Sequence, residues 1–510
     1  MKKALISVYC KEDIVEFAKS LIEKGYEIIS TGGTFKILTN NSVKVINVSD
    51  LTGSPEMIEG RVKTLHPKIF AGILAKRDNE KHINELKENN INPIDIVVCN
   101  LYPFYKSAYK MHLPEDEVLE NIDIGGVSLI RAAAKNYKDV IVVTDTDDYN
   151  LVISNMDEDG NITREIKKNL AKKAFNYTAI YDSLIVNYFG NEILPDNFII
   201  GLKKTFDVRY GENPHQRAAI YKDIFNNQTS YFTSEQLHGK QLSFNNIMDL
   251  EVAKNIVIEF DKPSCAIVKH ANPCGVGISN NIFDAYKLSY ISDPISAYGS
   301  IVALNRKLDI ETASEIKSNF VEVVVAPDFE DEAFKILSTK KNIRLIKYND
   351  IYNSKRELIM KSIPGGMLIQ EDDMIFEDDK IWKVVTEREP TDKEWNAMKF
   401  AWRVAKHVKS NAIVLTSNSR TIGIGAGQMS RIDSCELAIK KAGAVGSYTG
   451  GTAMASDGFF PFRDSIDMAS KAGITCVIQP GGSIRDKEII DACNEHNITM
   501  LFTGIRHFKH

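Results

Sequence analysis

Cysteine is scarce and unpatterned in this chain. Seven stand among 510 residues: Cys10, Cys99, Cys265, Cys274, Cys435, Cys476 and Cys493. An odd number with no Cys-x-x-Cys spacing excludes a disulfide framework and a zinc ribbon as organising devices. No apolar run approaches the roughly 20 residues needed to span a bilayer, so no membrane partner is expected. The opening MKKALISVYCKEDIVEF reaches acidic residues too soon for a secretory leader. The expected compartment is therefore cytoplasmic. Basic charge is not in excess: 63 Lys and Arg face 68 Asp and Glu, for a net charge of −5. A chain that tracks a nucleic acid backbone is usually basic, so no nucleic acid partner is expected. A small anionic substrate stays open, because a local pocket need not follow the net charge.

What is present is alternation. A short apolar run at 4–8 reads as a strand, and 14–21 carries helical spacing in Ile14, Phe17, Ala18 and Leu21. A second strand at 27–29 leads through Ser30-Thr31-Gly32-Gly33-Thr34 into a helix at 35–39, and a third strand follows at 43–48. This βαβαβ order predicts a parallel sheet with helices on its faces. Further strands are expected at 94–99 and 140–143, and a long amphipathic helix at 169–189. The stretch 190–205 holds Pro195 and Gly201 and little periodicity, which places a domain boundary there. The second part is α/β as well, with an internal echo. Residues 265–270 run on to Gly275-Val276-Gly277, and 411–416 run on to Gly423-Ile424-Gly425. Both read as a buried strand, a polar turn and a glycine-flanked return strand, consistent with a duplicated subdomain.

The glycine turn after a strand suits a phosphate, because amides at a helix start point outward and glycine allows close approach. It is equally readable as an ordinary strand–helix turn, and it lacks the GK[ST] ending of a P-loop. Arg61, Lys63 and Thr64 add two cations and a hydroxyl within four residues, though such runs are commonly solvated. Asn100 and Tyr102 follow an apolar strand, where open α/β sheets bind ligands. Asp123 precedes a helix carrying Ser128, Arg131 and Lys135 at spacings that share a face. Together these cations and one carboxylate suit a ribonucleotide monophosphate.

In the second half, Arg209-Tyr210-Gly211-Glu212-Asn213-Pro214-His215-Gln216 is too polar to be packing. Lys269-His270-Ala271-Asn272-Pro273 leaves a buried strand into a turn fixed by proline. A zinc deaminase needs His-x-Glu and Pro-Cys-x-x-Cys. Here His270 is followed by Ala271-Asn272, and Pro273-Cys274 has no second cysteine, so no metal site is expected. Asp457, Arg463 and Asp464 bracket an apolar Phe459-Phe460-Pro461-Phe462 run, which suits an aromatic ligand with polar edges. Gln479-Pro480-Gly481-Gly482-Ser483-Ile484-Arg485 is a glycine loop after a strand.

The segments SVYCK, STGGT, RVKTLHP, CNLYPF, IDIGG and RAAAKN stand in the order found in the cyclohydrolase half of the bifunctional purine biosynthesis enzymes, formyltransferase and IMP cyclohydrolase in one chain. The motifs after residue 200 resemble the transformylase half of the same family, so the resemblance covers nearly the whole chain. It implies an α/β fold: a methylglyoxal-synthase-like parallel-sheet domain over 1–195 and, over 196–510, a transformylase domain of two cytidine-deaminase-like subdomains without zinc. It implies formyl transfer from 10-formyltetrahydrofolate to the amine of aminoimidazole carboxamide ribonucleotide (AICAR), giving FAICAR. Closure of FAICAR to IMP with loss of water follows, with no metal required, in a homodimer.

Carried over position by position, the cyclohydrolase nucleotide contacts are Lys11, Ser30, Thr31, Gly32, Gly33, Thr34, Arg61, Lys63, Thr64, Cys99 and Asn100. Tyr102, Asp123, Lys63 and Lys135 would handle protons. The family commonly has Ser-Asp where this chain has Tyr9-Cys10, which questions the Tyr9 side-chain contact and leaves its backbone available. In the transformylase half the resemblance gives Arg209, Tyr210, Lys269, His270, Gly299, Glu322, Asn411, Arg431, Phe459 and Arg506 to the nucleotide. It gives Ile432, Asp464, Ser483 and Ile484 to the folate. Glu322 stands where some members have aspartate. His270 would assist deprotonation of the amine, Lys269 would stabilise charge or pass a proton, and Asn411 would position the formyl group. Two alternatives differ in class. A nucleotide-sensing regulatory protein would show no folate-dependent turnover, and a deaminase-like hydrolase would hold metal.

Overall fold

Short runs rich in Val and Ile make the first sheet. In the computed structural model these are β1 (Lys2–Val8), β2 (Tyr26–Ser30), β3 (Val45–Asn47), β4 (Ile96–Asn100) and β5 (Ile141–Val143), all parallel, in the order β3-β2-β1-β4-β5. The structure describes residues 1–111, 113–190, 192–224, 234–348, 358–373, 381–444, 446 and 452–510. The strand order reverses between β1 and β4, and ligands of open α/β sheets sit outside the carboxyl ends of strands at that reversal. The helix Ile14–Glu23 buries Ile14, Phe17, Ala18 and Leu21, the stripe its spacing predicts. The long helix begins earlier than expected, at Arg164, because Thr163 caps it by accepting from the Ile166 amide; it ends at Phe189.

The chain divides into two compact units, Met1–Gly201 and Leu202–His510. The stretch without periodicity stays with the first unit, and the second begins where β6 (Leu202–Val208) starts to pair with β7 (Ala218–Asp223).

The second unit holds two six-stranded sheets. The first uses β8 (Ser234–His238), β9 (Ser264–Lys269), β10 (Asn272–Ile278), β11 (Ser300–Leu304), β12 (Val321–Ala326) and β13 (Arg344–Tyr348), in the order β10-β9-β11-β12-β13-β8. A hairpin of β14 (Leu358–Ile363) and β15 (Gly366–Glu371) follows. The second sheet uses β16 (Lys383–Val384), β17 (Ile413–Thr416), β18 (Thr421–Gly425), β19 (Ala453–Ser456), β20 (Cys476–Gln479) and β21 (Thr499–Phe502), in the order β18-β17-β19-β20-β21-β16. Strand directions match one for one: an antiparallel pair, an antiparallel step, two parallel steps and an antiparallel edge in each. The echo at 265–277 and 411–425 is thus a duplicated α/β subdomain.

The glycines of the echo have a packing reason. A methyl group on Gly275 would stand 1.9 Å from the Ser289 carbonyl oxygen, and one on Gly425 1.9 Å from that of Ser434. Each glycine lets a helix, Ile282–Tyr290 or Arg431–Ala444, lie directly on its return strand. The two return strands also meet. The Val276 amide donates to Thr421 Oγ1 at 2.9 Å, and the Ile278 amide to the Ser419 carbonyl at 2.8 Å. One core spans both subdomains, with Val268 and Val276 from one side, Val414 and Ile424 from the other, and Trp402 fully buried with them. Overpacking at such a contact costs about 1–3 kcal/mol or more. Gly275→Ala and Gly425→Ala should each lower the unfolding free energy of the second unit by at least about 1 kcal/mol in urea titration. A loss below about 0.5 kcal/mol would mean the helices are free to shift.

Candidate functional site

In the first unit, the carboxyl ends of β1, β2 and β4 carry the residues singled out above. Thr31 precedes the helix Gly32–Asn40 without capping it through its side chain; its hydroxyl donates instead to Glu56 at 2.9 Å. The first amides of that helix therefore have no side-chain cap from Thr31 and lie at the positive end of the dipole, where an anion would be favoured. Gly32 takes φ 53, and a methyl group there would meet Lys63 Nζ at 3.3 Å. Lys63 thus lies at the helix start. Lys11 Nζ donates to Thr34 Oγ1 at 3.1 Å, and Thr34 also accepts from the Val8 amide. Burial holds Lys11 below the usual lysine pKa; Lys63 pushes the same way and Cys10 opposes. Ser30 is fully buried and donates to the Ile6 carbonyl, so its hydroxyl serves the sheet.

At β4, the Asn100 side-chain oxygen accepts the amides of Tyr9 and Cys10 at 2.6 and 2.9 Å. The loop departing from the family pattern is held through its backbone, and the Tyr9 ring meets Tyr102 edge-on at 5.5 Å. Asp123 accepts from the Gly126 amide at 2.6 Å. Burial raises its pKa, against the pull of the Gly126 and Tyr102 amides and of Lys63. Burial, Asp123 and Tyr9 in turn raise that of Tyr102. Thr64 Oγ1 lies 3.1 Å from where a methyl on Gly125 would be. Lys63, Tyr102 and Asp123 therefore lie near one another by the β1/β4 reversal, with Thr64 beside Gly125.

Other residues are placed differently. Cys99 is buried, with its thiol toward the Gly126 carbonyl and its pKa pushed up by burial. Arg61 pairs with Glu120 on the surface. Lys135 is exposed at the last position of the helix Gly125–Lys135, so its Cα stands about 15 Å from the helix start beside Asp123. Two supports were missed. Tyr177 and Tyr181, four apart on the long helix, receive the Leu101 and Asp123 amides at 3.0 and 2.8 Å. Their spacing on one helical face was the available signal.

In the second unit, Lys269 and His270 line a cleft of about 210 Å³ with Asn272, Ser296, Ile424, Ala426 and Lys441. It therefore draws on both subdomains. Lys269 Nζ donates to the Tyr298 carbonyl at 2.7 Å. His270 and Ala271 both take left-handed backbone, φ 53 and 57, which costs roughly 1–2 kcal/mol per residue without compensation. Both amides donate to Asp249, at 3.2 and 2.6 Å. Asp249 sits on the helix Phe244–Val257, one turn from Asn246, whose amide donates to Glu322 at 3.0 Å. Arg344 approaches the same carboxylate at 3.3 Å. Asn245, beside them, donates to the Glu212 carbonyl in the Arg209–Gln216 loop. There Arg209 stacks 4.6 Å over the Tyr210 ring. Gly299, at φ 74, donates to the Phe320 carbonyl. Asp249 and Asn246 carried no sequence signal beyond their place on a helix.

Asn411 donates to the carbonyls of Gln428 and Met429 at 3.0 and 3.1 Å and accepts from Arg431 at 3.1 Å. Arg431 is 7% exposed and pairs with the fully buried Asp457. It braces this region rather than offering a free guanidinium. Arg506 stacks on Phe508 at 4.6 Å, and a methyl on Gly458 would touch both Phe508 and Arg431, which puts Phe459 alongside. Asp464 begins the helix Asp464–Lys471 and accepts from the Ser465 amide. The Ser483 amide donates to Asp486, and Ile484 projects fully into solvent. Ile432 occupies the first turn of Arg431–Ala444. Among the described residues no three His, Cys, Asp or Glu side chains converge as metal ligands.

Comparison with known proteins gives two family matches. Residues 133–441 match the AICARFT/IMPCHase bienzyme model, and residues 13–128 match the MGS-like domain model. Three bifunctional purine biosynthesis proteins PurH align over 100% of this chain and of their own length. Those of Thermoanaerobacter sp., Caldicellulosiruptor saccharolyticus and Bacillus cereus are 54%, 52% and 48% identical to it. The crystal structure of ForH matches 37% of this chain at 32% identity, with a TM-score of 0.33.

The buried Arg431–Asp457 pair yields a direct test. Removing one partner leaves an uncompensated buried charge, at about 3–5 kcal/mol. Asp457→Ala should destabilise the second unit by that amount in chemical denaturation, whereas a change under 1 kcal/mol would mean that Arg431 escapes to solvent.

Proposed function

The chain belongs to the bifunctional purine biosynthesis enzymes, and from that premise we propose that its two compact units divide the family's two reactions. It is an AICAR formyltransferase and IMP cyclohydrolase, serving the last two steps of IMP synthesis. The division rests on one observation: each unit has its own strand-end site, with different chemical groups at each. The first collects an anion-binding helix start, lysines, a tyrosine and a half-buried carboxylate. The second collects a Lys-His pair in a cleft.

In the cyclohydrolase unit, the nucleotide phosphate sits at the start of the helix Gly32–Asn40, met by Lys11, Thr34 and Lys63. Ser30, Thr31 and Gly33 shape that turn, and Arg61, Thr64, Cys99 and Asn100 border the rest of the nucleotide. The carboxamide nitrogen of FAICAR attacks the formamido carbon, forming the ring C–N bond. Asp123 takes the carboxamide nitrogen proton, Lys63 stabilises the oxygen that gains charge, and Asp123 returns that proton to make the hydroxyl. Tyr102 gives a second proton as water departs, and its phenolate recovers one from the formamido nitrogen as the ring C=N bond forms. Raised pKa values suit these roles, since a more basic Asp123 accepts more readily and Tyr102 stays protonated. Lys135 joins the proposed machinery on the resemblance alone.

In the transformylase unit, the AICAR amine is a poor nucleophile because its lone pair is delocalised into the ring. His270 removes its proton as it attacks the formyl carbon, and Lys269 passes a proton to the folate nitrogen as the C–N bond breaks. Asn411 fixes the formyl group. Arg209, Tyr210, Gly299, Glu322, Arg431, Phe459 and Arg506 border the nucleotide; Ile432, Asp464, Ser483 and Ile484 border the folate, proposed as 10-formyltetrahydrofolate. Holding both substrates together supplies much of the acceleration. Ile484, Met429 and Ile295 are apolar and almost wholly exposed, which supports a second copy of the chain covering them in a homodimer. All seven cysteines are free, which supports a reducing, cytoplasmic setting.

Two measurements test the division. His270→Ala should cut formyl transfer at least 100-fold, about 2.7 kcal/mol. With FAICAR supplied, the same variant should cyclise within about threefold of wild type; loss of both activities would point to misfolding. Asp123 must be ionised to accept a proton, so cyclisation should fall as pH drops through its pKa. That value lies above the usual aspartate value of about 3.9. The acid limb of kcat/KM should sit correspondingly high. Asp123→Asn should remove the limb and lower the rate roughly 10²–10⁴-fold. An unchanged limb would assign the proton to another group.

A further inference from the structure

We propose that Asp249 is the positioning residue of the formyl-transfer site, holding His270 and Ala271 in left-handed backbone so that the imidazole faces the cleft. The inference rests on His270 acting in that cleft. Two consecutive non-glycine residues rarely take positive φ, and both do so here, at 53 and 57. Their amides converge on one carboxylate, His270 on Oδ2 at 3.2 Å and Ala271 on Oδ1 at 2.6 Å. Each amide thus has a carboxylate oxygen of its own, and each bond is charge-assisted.

The neighbouring contacts agree. The His270 carbonyl accepts from Asn272 Nδ2, and Asn272 Oδ1 accepts the Lys409 amide at 3.0 Å. The turn is therefore tied at one end to the helix Phe244–Val257 and at the other to the segment that leads into β17. A left-handed turn here directs the imidazole of His270 into the cleft it shares with Lys269 and Lys441. A relaxed turn in ordinary backbone would rotate the side chain away while leaving β9 and β10 intact. Asp249 itself lines none of the cleft, so it acts through His270 and not on the substrate.

The experiment compares Asp249→Ala, Asp249→Asn, Ala271→Gly and the double variant Asp249→Ala/Ala271→Gly in the full-length protein. Formyl transfer is measured with AICAR and 10-formyltetrahydrofolate, and cyclisation with FAICAR serves as internal control. Asp249→Ala should lower the transfer kcat about 100-fold with the KM for AICAR within about threefold. Asp249→Asn keeps one acceptor oxygen and should fall about tenfold. Glycine takes left-handed backbone at little cost. Ala271→Gly should therefore be near wild type alone and restore at least fivefold of the lost kcat in the double variant. A purely structural role would not give that rescue. Transfer by Asp249→Ala within threefold of wild type overturns the proposal, as does a double variant no faster than Asp249→Ala. Should Asp249→Ala fail to fold, the same rescue is read with Asp249→Asn. Absence of formyl transfer in the wild-type chain overturns the functional reading and the proposal together.

Discussion

The second unit depends on the seam between its two return strands. β10 and β18 occupy equivalent places in a duplicated sheet, and they meet through backbone bonds and a threonine shared between them. Thr421 accepts the Val276 amide, and its carbonyl accepts the Ser292 hydroxyl at 2.6 Å. Gly275, Gly277, Gly423 and Gly425 leave space on each strand that the backbone of its own packing helix fills. The seam sets the position of everything functional around it. Lys269 and His270 leave β9 on one side, and Ile424, Ala426 and Lys441 close the cleft from the other. A duplicated fold thus makes one asymmetric site from two similar halves, with the Lys-His turn in one half facing apolar and cationic groups of the other.

Both units solve the same local problem in the same way. A strand that ends at a reactive site must turn sharply and expose consecutive amides, and those amides need acceptors. In the first unit the acceptor is Asn100, which takes the amides of Tyr9 and Cys10. In the second it is Asp249, which takes those of His270 and Ala271. Each acceptor comes from a different element than the turn it holds: β4 for β1, and the helix Phe244–Val257 for β9. Long-range side-chain acceptors of this kind make a loop as rigid as the sheet beneath it. They also make the hold on this loop independent of the side chains at Tyr9 and Cys10, because the Asn100 contacts are to backbone.

Much of the fold was legible because its signals are local. The βαβαβ opening and the glycine-flanked echo depend on short-range periodicity and composition, whereas the boundary expected at 195/196 lies ahead of the division between compact units at 201/202. Element ends were less so. The helix after the glycine turn starts at Gly32, where two glycines read as loop, because the strand end and the left-handed Gly32 fix the entry. The site divided along the same line. Lys63, Tyr102, Asp123, Lys269 and His270 could be chosen from side-chain chemistry beside strand ends. Asp249 and Asn246 could not, because their meaning comes from partners 21 to 76 residues away, and Tyr177 and Tyr181 offered only their shared helical face.

The residues whose chemistry and geometry separate are the most instructive about how such a site works. Arg431 reads as a cation for an anionic substrate, yet its guanidinium is committed to Asp457, Ser456 and Asn411. Asn411 in turn spends its amide on two carbonyls. Groups held by several partners in this way reorganise little around a ligand, so whatever they offer must already point the right way. Such fixed dipoles suit transition-state charge better than mobile ones, because no reorganisation is needed when the charge develops. Asp457 neutralises Arg431 in the resting protein, so the pair adds orientation rather than net positive field. The lysines of the cleft are anchored as well: Lys441 pairs with Asp293 at 3.0 Å and Lys269 donates to the Tyr298 carbonyl at 2.7 Å. Paired charges beneath and anchored lysines at the cleft thus fix the direction of each dipole without requiring a strongly basic surface.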